Sequence, residues 1–227
     1  MIVAEIKPFE EIKDALKKYN KILVIGCGTC VTVCLSGGKK QVELLATALR
    51  IARKIEDANN VTIDERTMPR QCEPRFVDQI KDEVSKYDAI LSMGCGAGVQ
   101  EIAERLKNIA VLPAMNTRFI GASDGEGNFL EMCAACGDCI LSLTGGICPV
   151  ARCPKGLLNG PCGGTKNGKC EVSQDIPCAW VMIYERMKEL GRLDDLKKTI
   201  GAKDWSKSQR PGRYSVKKEE AETVKKG

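Results

Sequence analysis

The residues best suited to chemistry in this sequence are its thirteen cysteines, since the chain of 227 residues contains no histidine. Eight of the cysteines fall between residues 133 and 178, where glycine and proline alternate with them too closely for a long helix or strand. Such a stretch buries little apolar surface, so disulfides or metal must hold its shape. An odd cysteine count and a mixed-charge N-terminus without a secretion signal favour reduced thiols. Metal binding is therefore the main interpretation, and disulfides are the alternative.

The cysteine-rich stretch begins with a compact triplet, Cys133-x₂-Cys136-x₂-Cys139, and Cys153 followed by a proline lies downstream. In ferredoxins a compact triplet of this kind takes one remote partner to hold a [4Fe–4S] cluster. The other cysteines of the stretch are Cys148, Cys162, Cys170 and Cys178. Eight thiols suffice for two four-thiolate centres, either two [4Fe–4S] clusters or one cluster and one zinc. Sequence order does not assign each thiol to a centre, and a zinc-ribbon-like knot without a redox role is an alternative.

A second group of thiols lies in the first half of the chain. Cys27, Cys30 and Cys34 form a C-x₂-C-x₃-C run directly after an apolar segment, at a predicted strand-to-helix loop. Thiolates in such a loop can hold a cuboidal [4Fe–4S] cluster, and the N–H groups at the start of the next helix favour its negative charge. The fourth ligand is predicted to be Cys95, with Cys72 either replacing it or lying behind the ligands.

Two further interpretations apply to this N-terminal group. Gly26-Cys-Gly28 matches part of a dinucleotide-binding fingerprint, but Val31 replaces the third glycine, so nucleotide binding is the weaker interpretation. Reduced cysteines that serve only as small buried side chains would fit Cys72, but they would not explain the run that begins at Cys27.

A parallel sheet is needed to bring these loops together. Apolar runs predict strands at residues 2–5, 21–25, 61–65, 88–93 and 109–112. Amphipathic segments predict helices at residues 8–19, 36–57, 75–86, 99–106, 177–190 and 193–200. This alternation indicates an α/β fold with a flavodoxin- or Rossmann-like, doubly wound sheet. The strands at 21–25 and 88–93 both end in Gly-Cys-Gly, and in a flavodoxin-like order they are neighbours at the switch point, where ligands bind.

Three regions follow from this pattern. Residues 1–123 are predicted to form the parallel-sheet domain with a thiolate cluster site, because the glycine-rich segment 121–127 turns the chain and ends the sheet. Residues 124–200 are predicted to form a small, irregular, cysteine-rich metal-binding module followed by C-terminal helices. Residues 201–227 are predicted to form a basic tail, with eight basic against four acidic side chains.

Composition excludes several classes of partner. The net charge of +5 comes mostly from the tail, and aromatic residues make up only 4% of the chain without interleaving with basic ones, so a nucleic-acid partner is not expected. No apolar run approaches the roughly 20 residues needed to span a bilayer, so membrane insertion is not expected either. With its reduced thiols, the protein is predicted to be cytoplasmic.

Several longer sequence motifs are similar to those of one known family. In the C-terminal part they are Cys136-Gly-Asp-Cys139, Thr144-Gly-Gly-Ile-Cys148-Pro, Arg152-Cys-Pro-Lys155, Leu158-Asn-Gly-Pro-Cys-Gly-Gly164, Asn167-Gly-Lys-Cys170-Glu and Pro177-Cys-Ala-Trp180. They resemble the cysteine-rich C-terminal domain associated with methylenetetrahydrofolate reductases. Gly26-Cys-Gly-Thr-Cys30 and Gly94-Cys-Gly-Ala-Gly-Val-Gln100 resemble the rest of the MetV-type subunit of acetogenic and related anaerobes. The resemblance covers about residues 1–206.

The resemblance implies a non-catalytic redox subunit of a methylenetetrahydrofolate reductase complex. Its thirteen cysteines would hold two or three [4Fe–4S] clusters, with one zinc in place of one C-terminal cluster as the variant. Electrons would pass from a donor such as ferredoxin or another redox subunit to the flavin of a partner reductase subunit. That subunit would reduce 5,10-methylene- to 5-methyltetrahydrofolate in the reductive acetyl-CoA (Wood–Ljungdahl) pathway. The alternatives are a structural zinc or iron–sulfur scaffold that only organises the complex, and an independent flavodoxin-like redox enzyme with its own flavin.

Overall fold

A computed structural model of the chain describes residues 1–56, 60–208 and 211–215. The chain divides into two compact units, Met1–Leu130 and Glu131–Gly227. Each unit has its own cluster of buried apolar side chains. Residues 209–210 and 216–227 of the predicted basic tail lie outside the described residues.

The elements of the first unit alternate between strands and helices. Its strands are β1 (Ile2–Ile6), β2 (Lys21–Cys27), β3 (Thr62–Met68), β4 (Ala89–Met93), β5 (Ala110–Pro113), β6 (Met115–Ser123) and β7 (Phe129–Cys133), the last of which runs on past the boundary between the units. Its helices are α1 (Phe9–Leu16), α2 (Cys30–Val33), α3 (Lys39–Ile55), α4 (Pro74–Asp78) and α5 (Gly96–Arg105), with a 3₁₀ helix at Glu83–Lys86.

Four of these strands form a parallel sheet in the order β3-β2-β4-β5. The chain leaves β2 for β3 on one side and then crosses to the other side of β2 to form β4. The order of the strands therefore reverses between β2 and β4, which is the switch point of the sheet. The predicted α/β class with a parallel sheet is confirmed, and so is the prediction that the two strands ending in Gly-Cys-Gly are neighbours.

Both faces of this sheet are covered, which explains why β2 is a continuous apolar run. Ile22 and Val24 point into a core that also contains side chains of α1 and α3. Leu23 and Ile25 point into a second core, to which α4 and α5 contribute. The alternation of side chains along a strand thus distributes β2 between two apolar layers.

A second sheet was not predicted. β1 pairs antiparallel with β6, and the sheet order is β1-β6-β7. The predicted turn at residues 121–127 exists, but it connects β6 to β7 instead of ending the sheet, and the carboxylate of Asp124 accepts hydrogen bonds from the N–H groups of Glu126 and Asn128 there. The prediction failed because β6 is only partly buried and carries Asn116, Thr117 and Arg118 in place of an apolar run.

Two predicted helices differ in extent. The helix expected at 75–86 is broken into α4 and a 3₁₀ helix, although Val77, Ile80 and Val84 are buried at helical spacing as expected. The helix expected from residue 36 begins only at Lys39. Gly37 lies so close to the main-chain carbonyl oxygen of Met93 that a Cβ atom would collide with it, which holds the chain in a tight loop before α3.

The second unit contains little regular structure. Its helices are α6 (Pro149–Arg152) and α7 (Ala179–Glu189), with 3₁₀ helices at Leu141–Leu143, Leu193–Lys197 and Trp205–Lys207. The buried core consists of Trp180, Ile183 and Met187, surrounded by partly buried neighbours. The predicted helix at 177–190 is confirmed, whereas the one at 193–200 is reduced to a 3₁₀ helix. Within the part of the unit that the structure describes, a cluster of three buried side chains is a small core.

None of the helices within the described residues is both long and apolar enough to cross a lipid bilayer.

Replacing Ile25 by alanine tests the packing of the parallel sheet. The Ile25 side chain is 0% exposed, so Ile25→Ala leaves a cavity and is expected to lower the free energy of unfolding of the first unit by about 2–5 kcal/mol. Ile55→Ala is the matched control, because the Ile55 side chain on α3 is 77% exposed, and a change within about 0.5 kcal/mol is expected. Urea denaturation followed by circular dichroism measures both, and equal losses would contradict the assigned core.

Candidate metal sites

Three cysteines of the first unit meet at the carboxyl edge of the parallel sheet. Cys27 is the last residue of β2 and is buried, Cys72 lies in the loop after β3, and Cys95 directly precedes α5 after β4. Partial removal from water raises the pKa of the Cys72 thiol, and the neighbouring thiols of Cys95 and Cys27 raise it further. The shift indicates that the three thiols lie in the same neighbourhood at this edge. The structure thus brings Cys72 and Cys95 together with Cys27.

The cysteine side chains of the C-x₂-C-x₃-C run do not all lie in the same surroundings. Cys30 begins α2, and Cys34 follows its end. The Cys34 thiol donates a hydrogen bond to the main-chain carbonyl oxygen of Ile2 in β1 at 3.6 Å. Burial raises the pKa of this thiol, and the nearby Cys30 raises it further. Cys34 therefore faces β1 of the antiparallel sheet, whereas Cys27 belongs to the first core and its sulfur lies 3.4 Å from the Thr29 hydroxyl oxygen.

Gln71 fixes the loop that carries Cys72, and no motif predicted it. Its side chain is 1% exposed, its amide nitrogen donates to the carbonyl oxygen of Ile25 at 2.8 Å, and its amide oxygen accepts from the Ser92 hydroxyl at 2.6 Å. It thereby links β2 to β4 beneath the three thiols. A Cβ atom on Gly94 would collide with the Gln71 side chain, so the glycine before Cys95 makes room for this link.

Four cysteines of the second unit line one small cavity of about 20 Å³. We call them the cavity set: Cys153, Cys162, Cys170 and Cys178. Leu157 and the buried Trp180 contribute apolar walls, and Lys155 forms an ion pair with Glu171 among the lining residues. Four thiols around one apolar space match in number and type the ligands of a zinc or [4Fe–4S] centre.

Backbone hydrogen bonds place three members of the cavity set. The N–H of Cys153 donates to Pro149 at 3.1 Å and closes the single turn of α6. The N–H of Cys170 donates to Ile176 at 2.9 Å. The N–H of Cys178, immediately before α7, donates to Gly168 at 2.8 Å. The chain between residues 168 and 178 is therefore a closed loop that holds two thiols toward the same cavity.

The placement of Cys153 differs from the ferredoxin-like pattern in the sequence. That pattern paired the triplet of Cys133, Cys136 and Cys139 with Cys153, but the structure places Cys153 in the cavity set. Cys148, which directly precedes α6, is then the remaining C-terminal thiol for the triplet. Within the triplet, the Cys133 sulfur accepts a hydrogen bond from the N–H of residue 135 at 3.4 Å.

All thirteen cysteines lie within the described residues and are free thiols. In residues 1–56, 60–208 and 211–215, no three Cys, Asp or Glu side chains are arranged to hold a metal ion as they stand. The donor set around the cavity nevertheless fits a four-thiolate centre, because four thiols line one apolar space. Ligation therefore requires the cysteine side chains that line the cavity to rotate so that their sulfur atoms come closer together.

Comparison with known proteins identifies one relationship. Residues 112–206 match a family model described as "Methylene-tetrahydrofolate reductase C terminal". Comparison with curated proteins and with solved structures gave no match. The matched range contains both the triplet and the cavity set. The resemblance seen in the sequence is therefore confirmed as a relation to this reductase family over that range, and its MetV-type details stay a prediction.

Replacing Gln71 by leucine tests its role beneath the thiols. Gln71→Leu keeps the side-chain volume but removes two buried hydrogen bonds, so we expect a loss of about 1–3 kcal/mol in unfolding free energy. We also expect faster alkylation of Cys72 by iodoacetamide, since the loop is released. Gln100→Leu is the control, because Gln100 is exposed on α5. Unchanged stability and alkylation in Gln71→Leu would show that the link does not hold the loop.

Proposed function

We propose that this chain is the electron-transfer subunit of a methylenetetrahydrofolate reductase complex. The match of residues 112–206 to the reductase C-terminal family, over the stretch that contains the cavity set, carries this proposal. The chain would hold metal centres with its thiols and pass electrons to the flavin of a partner subunit. That partner would reduce 5,10-methylene- to 5-methyltetrahydrofolate, with ferredoxin or another redox subunit as the donor. We propose a cytoplasmic location, where thiols stay reduced.

Three sets of thiols are proposed as ligands. The cavity set forms one centre, and the triplet set forms a second with Cys133, Cys136, Cys139 and Cys148. The edge set forms the third with Cys27, Cys30, Cys72 and Cys95. Cys30 is chosen over Cys34 for the edge set, because the Cys34 thiol is hydrogen-bonded to β1.

The chain's own residues support a relay and not substrate chemistry. An iron–sulfur cluster, when bound, takes up and releases single electrons, whereas zinc keeps one oxidation state. Apolar side chains such as Trp180 line the cavity, and Cys170 of the cavity set is buried. The sequence has no histidine, the commonest general acid or base, so proton delivery to a folate is assigned to the partner.

A structural scaffold is the second candidate, and the small core of the second unit favours it. Within the described residues the buried cluster there consists of Trp180, Ile183 and Met187, so a zinc ion in the cavity set would stabilise the fold even without redox chemistry. In that case the chain would order an interface of the reductase complex and carry no electrons.

Metal and acid-labile sulfide analysis of the full chain, purified without oxygen, separates the two candidates. The proposal predicts iron and sulfide in near-equal amounts and a visible absorption that bleaches reversibly on reduction. Zinc without sulfide, in a colourless protein, would contradict the relay and support the scaffold. A protein with neither metal would contradict both.

Serine substitutions test the assignment of thiols to separate sets. Cys170→Ser is expected to lose the metal of the cavity set, and Cys136→Ser the metal of the triplet set, while the double variant loses both. Each single variant should leave the parallel sheet folded. Cys34→Ser is the matched control and should keep its full metal content. An unchanged metal content in Cys170→Ser, or a loss of metal in Cys34→Ser, would show that the assignment of cysteines to the three sets is wrong.

A further inference from the structure

A lysine in the predicted basic tail is buried. The side chain of Lys203 is 0% exposed, although the sequence around it has the composition of a solvated tail. Removing an ammonium group from water is costly unless the charge is paired and hydrogen-bonded. Its partners therefore indicate what this segment of the chain does.

The partners of Lys203 lie in the loop between two cysteines of the triplet. Its ammonium group donates to the main-chain carbonyl oxygen of Asp138 and lies 3.6 Å from the carboxylate of the same residue. It also lies 5.7 Å from the centre of the Trp205 ring, within range of a cation–π interaction. Asp138 stands between Cys136 and Cys139, so Lys203 holds both the backbone and the side chain of the loop that presents these two thiols.

The rest of the segment is built to keep this contact. Gly137 has a φ of +76°, and a Cβ atom there would collide with the main-chain carbonyl of Lys207, so the two backbones lie directly against each other. The Lys207 ammonium group lies 3.1 Å from the Asp138 carboxylate. The Asp204 carboxylate accepts from the N–H of Ser206 at 3.0 Å and caps the 3₁₀ helix between the two lysines.

The charges in this contact are balanced. Lys203 and Lys207 meet the carboxylate of Asp138, and the Asp204 carboxylate also interacts with Lys207, so the contact holds two positive and two negative charges, and loss of either lysine would leave a net negative charge beside the loop of Cys136 and Cys139. A centre held by four thiolates is stabilised by nearby positive charge, which also makes it easier to reduce.

We infer that Lys203 is a positioning residue for the thiols of Cys136 and Cys139. It fixes their loop through Asp138, and its buried charge offsets the negative charge of a thiolate-bound centre. The second part rests on the proposed function, because it needs a metal at the triplet set, whereas the fixing of the loop does not.

The experiment compares Lys203→Met in the full chain with two other variants. Lys203→Arg keeps the charge, and Lys197→Met is the control, because Lys197 is 80% exposed and pairs with Asp194. Hydrogen exchange of the peptide over residues 134–141 reports on the loop without requiring metal. Iron retention against a ferrous chelator and the midpoint potential report on the centre.

We expect faster exchange over residues 134–141 in Lys203→Met, a roughly 10- to 100-fold weaker hold on iron, and a lower midpoint potential. Lys203→Arg should restore the potential, and Lys197→Met should match the unmodified protein. Lys207→Met removes an exposed charge from the same carboxylate, so it keeps the fold and should lower the potential to a smaller extent.

Each outcome tests one of the two parts of the inference about Lys203. Unchanged exchange in Lys203→Met overturns the fixing of the loop, whether or not the protein holds metal. Faster exchange with unchanged iron and potential overturns the role of the charge. An unmodified chain without metal overturns the proposed function and the role of the charge, and the exchange data then decide the fixing of the loop on their own.

Discussion

The lining of one small cavity by four cysteines is the feature around which the second unit is built. Among its described residues the buried apolar cluster contains three side chains, and between α6 and α7 the chain runs through a glycine-rich loop with only isolated strand contacts. Apolar burial of that extent leaves little to offset the conformational entropy of so long an irregular segment. A metal held by the cavity set would supply the missing free energy, because its ligands exist as a set only in the folded chain.

The first unit provides a different setting for the same chemistry. Its parallel sheet is stabilised by two apolar layers. The sheet places Cys27, Cys72 and Cys95 at its carboxyl edge, next to the switch point where open α/β sheets bind their ligands. Gln71 ties this edge together from below, so the thiols stand on a rigid base. The two units thus present thiols in two settings, at the carboxyl edge of a parallel sheet and around a small cavity.

The sequence predicted those features of the fold whose signal lies in a few neighbouring residues. The strand β2 is buried on both faces, so it is a continuous apolar run, and its Gly-Cys-Gly ending matched that of β4. The strand β6 is half exposed and left no such run. Gln71 bonds to residues 46 and 21 positions away, and Lys203 to Asp138, 65 positions away, so neither could be found from local pattern. The spacing of Cys153 does not assign it to one of the two C-terminal groups of cysteines. Only the structure shows that it lines the cavity.

X-ray absorption at the iron and zinc edges, on the full chain purified without oxygen, tests most directly whether thiolates alone hold the metal. The account predicts a first coordination shell of sulfur only, at about 2.3 Å, because the sequence has no histidine and the converging ligands are cysteines. A first shell that contains nitrogen or oxygen, or an edge that shows no bound metal, would contradict it.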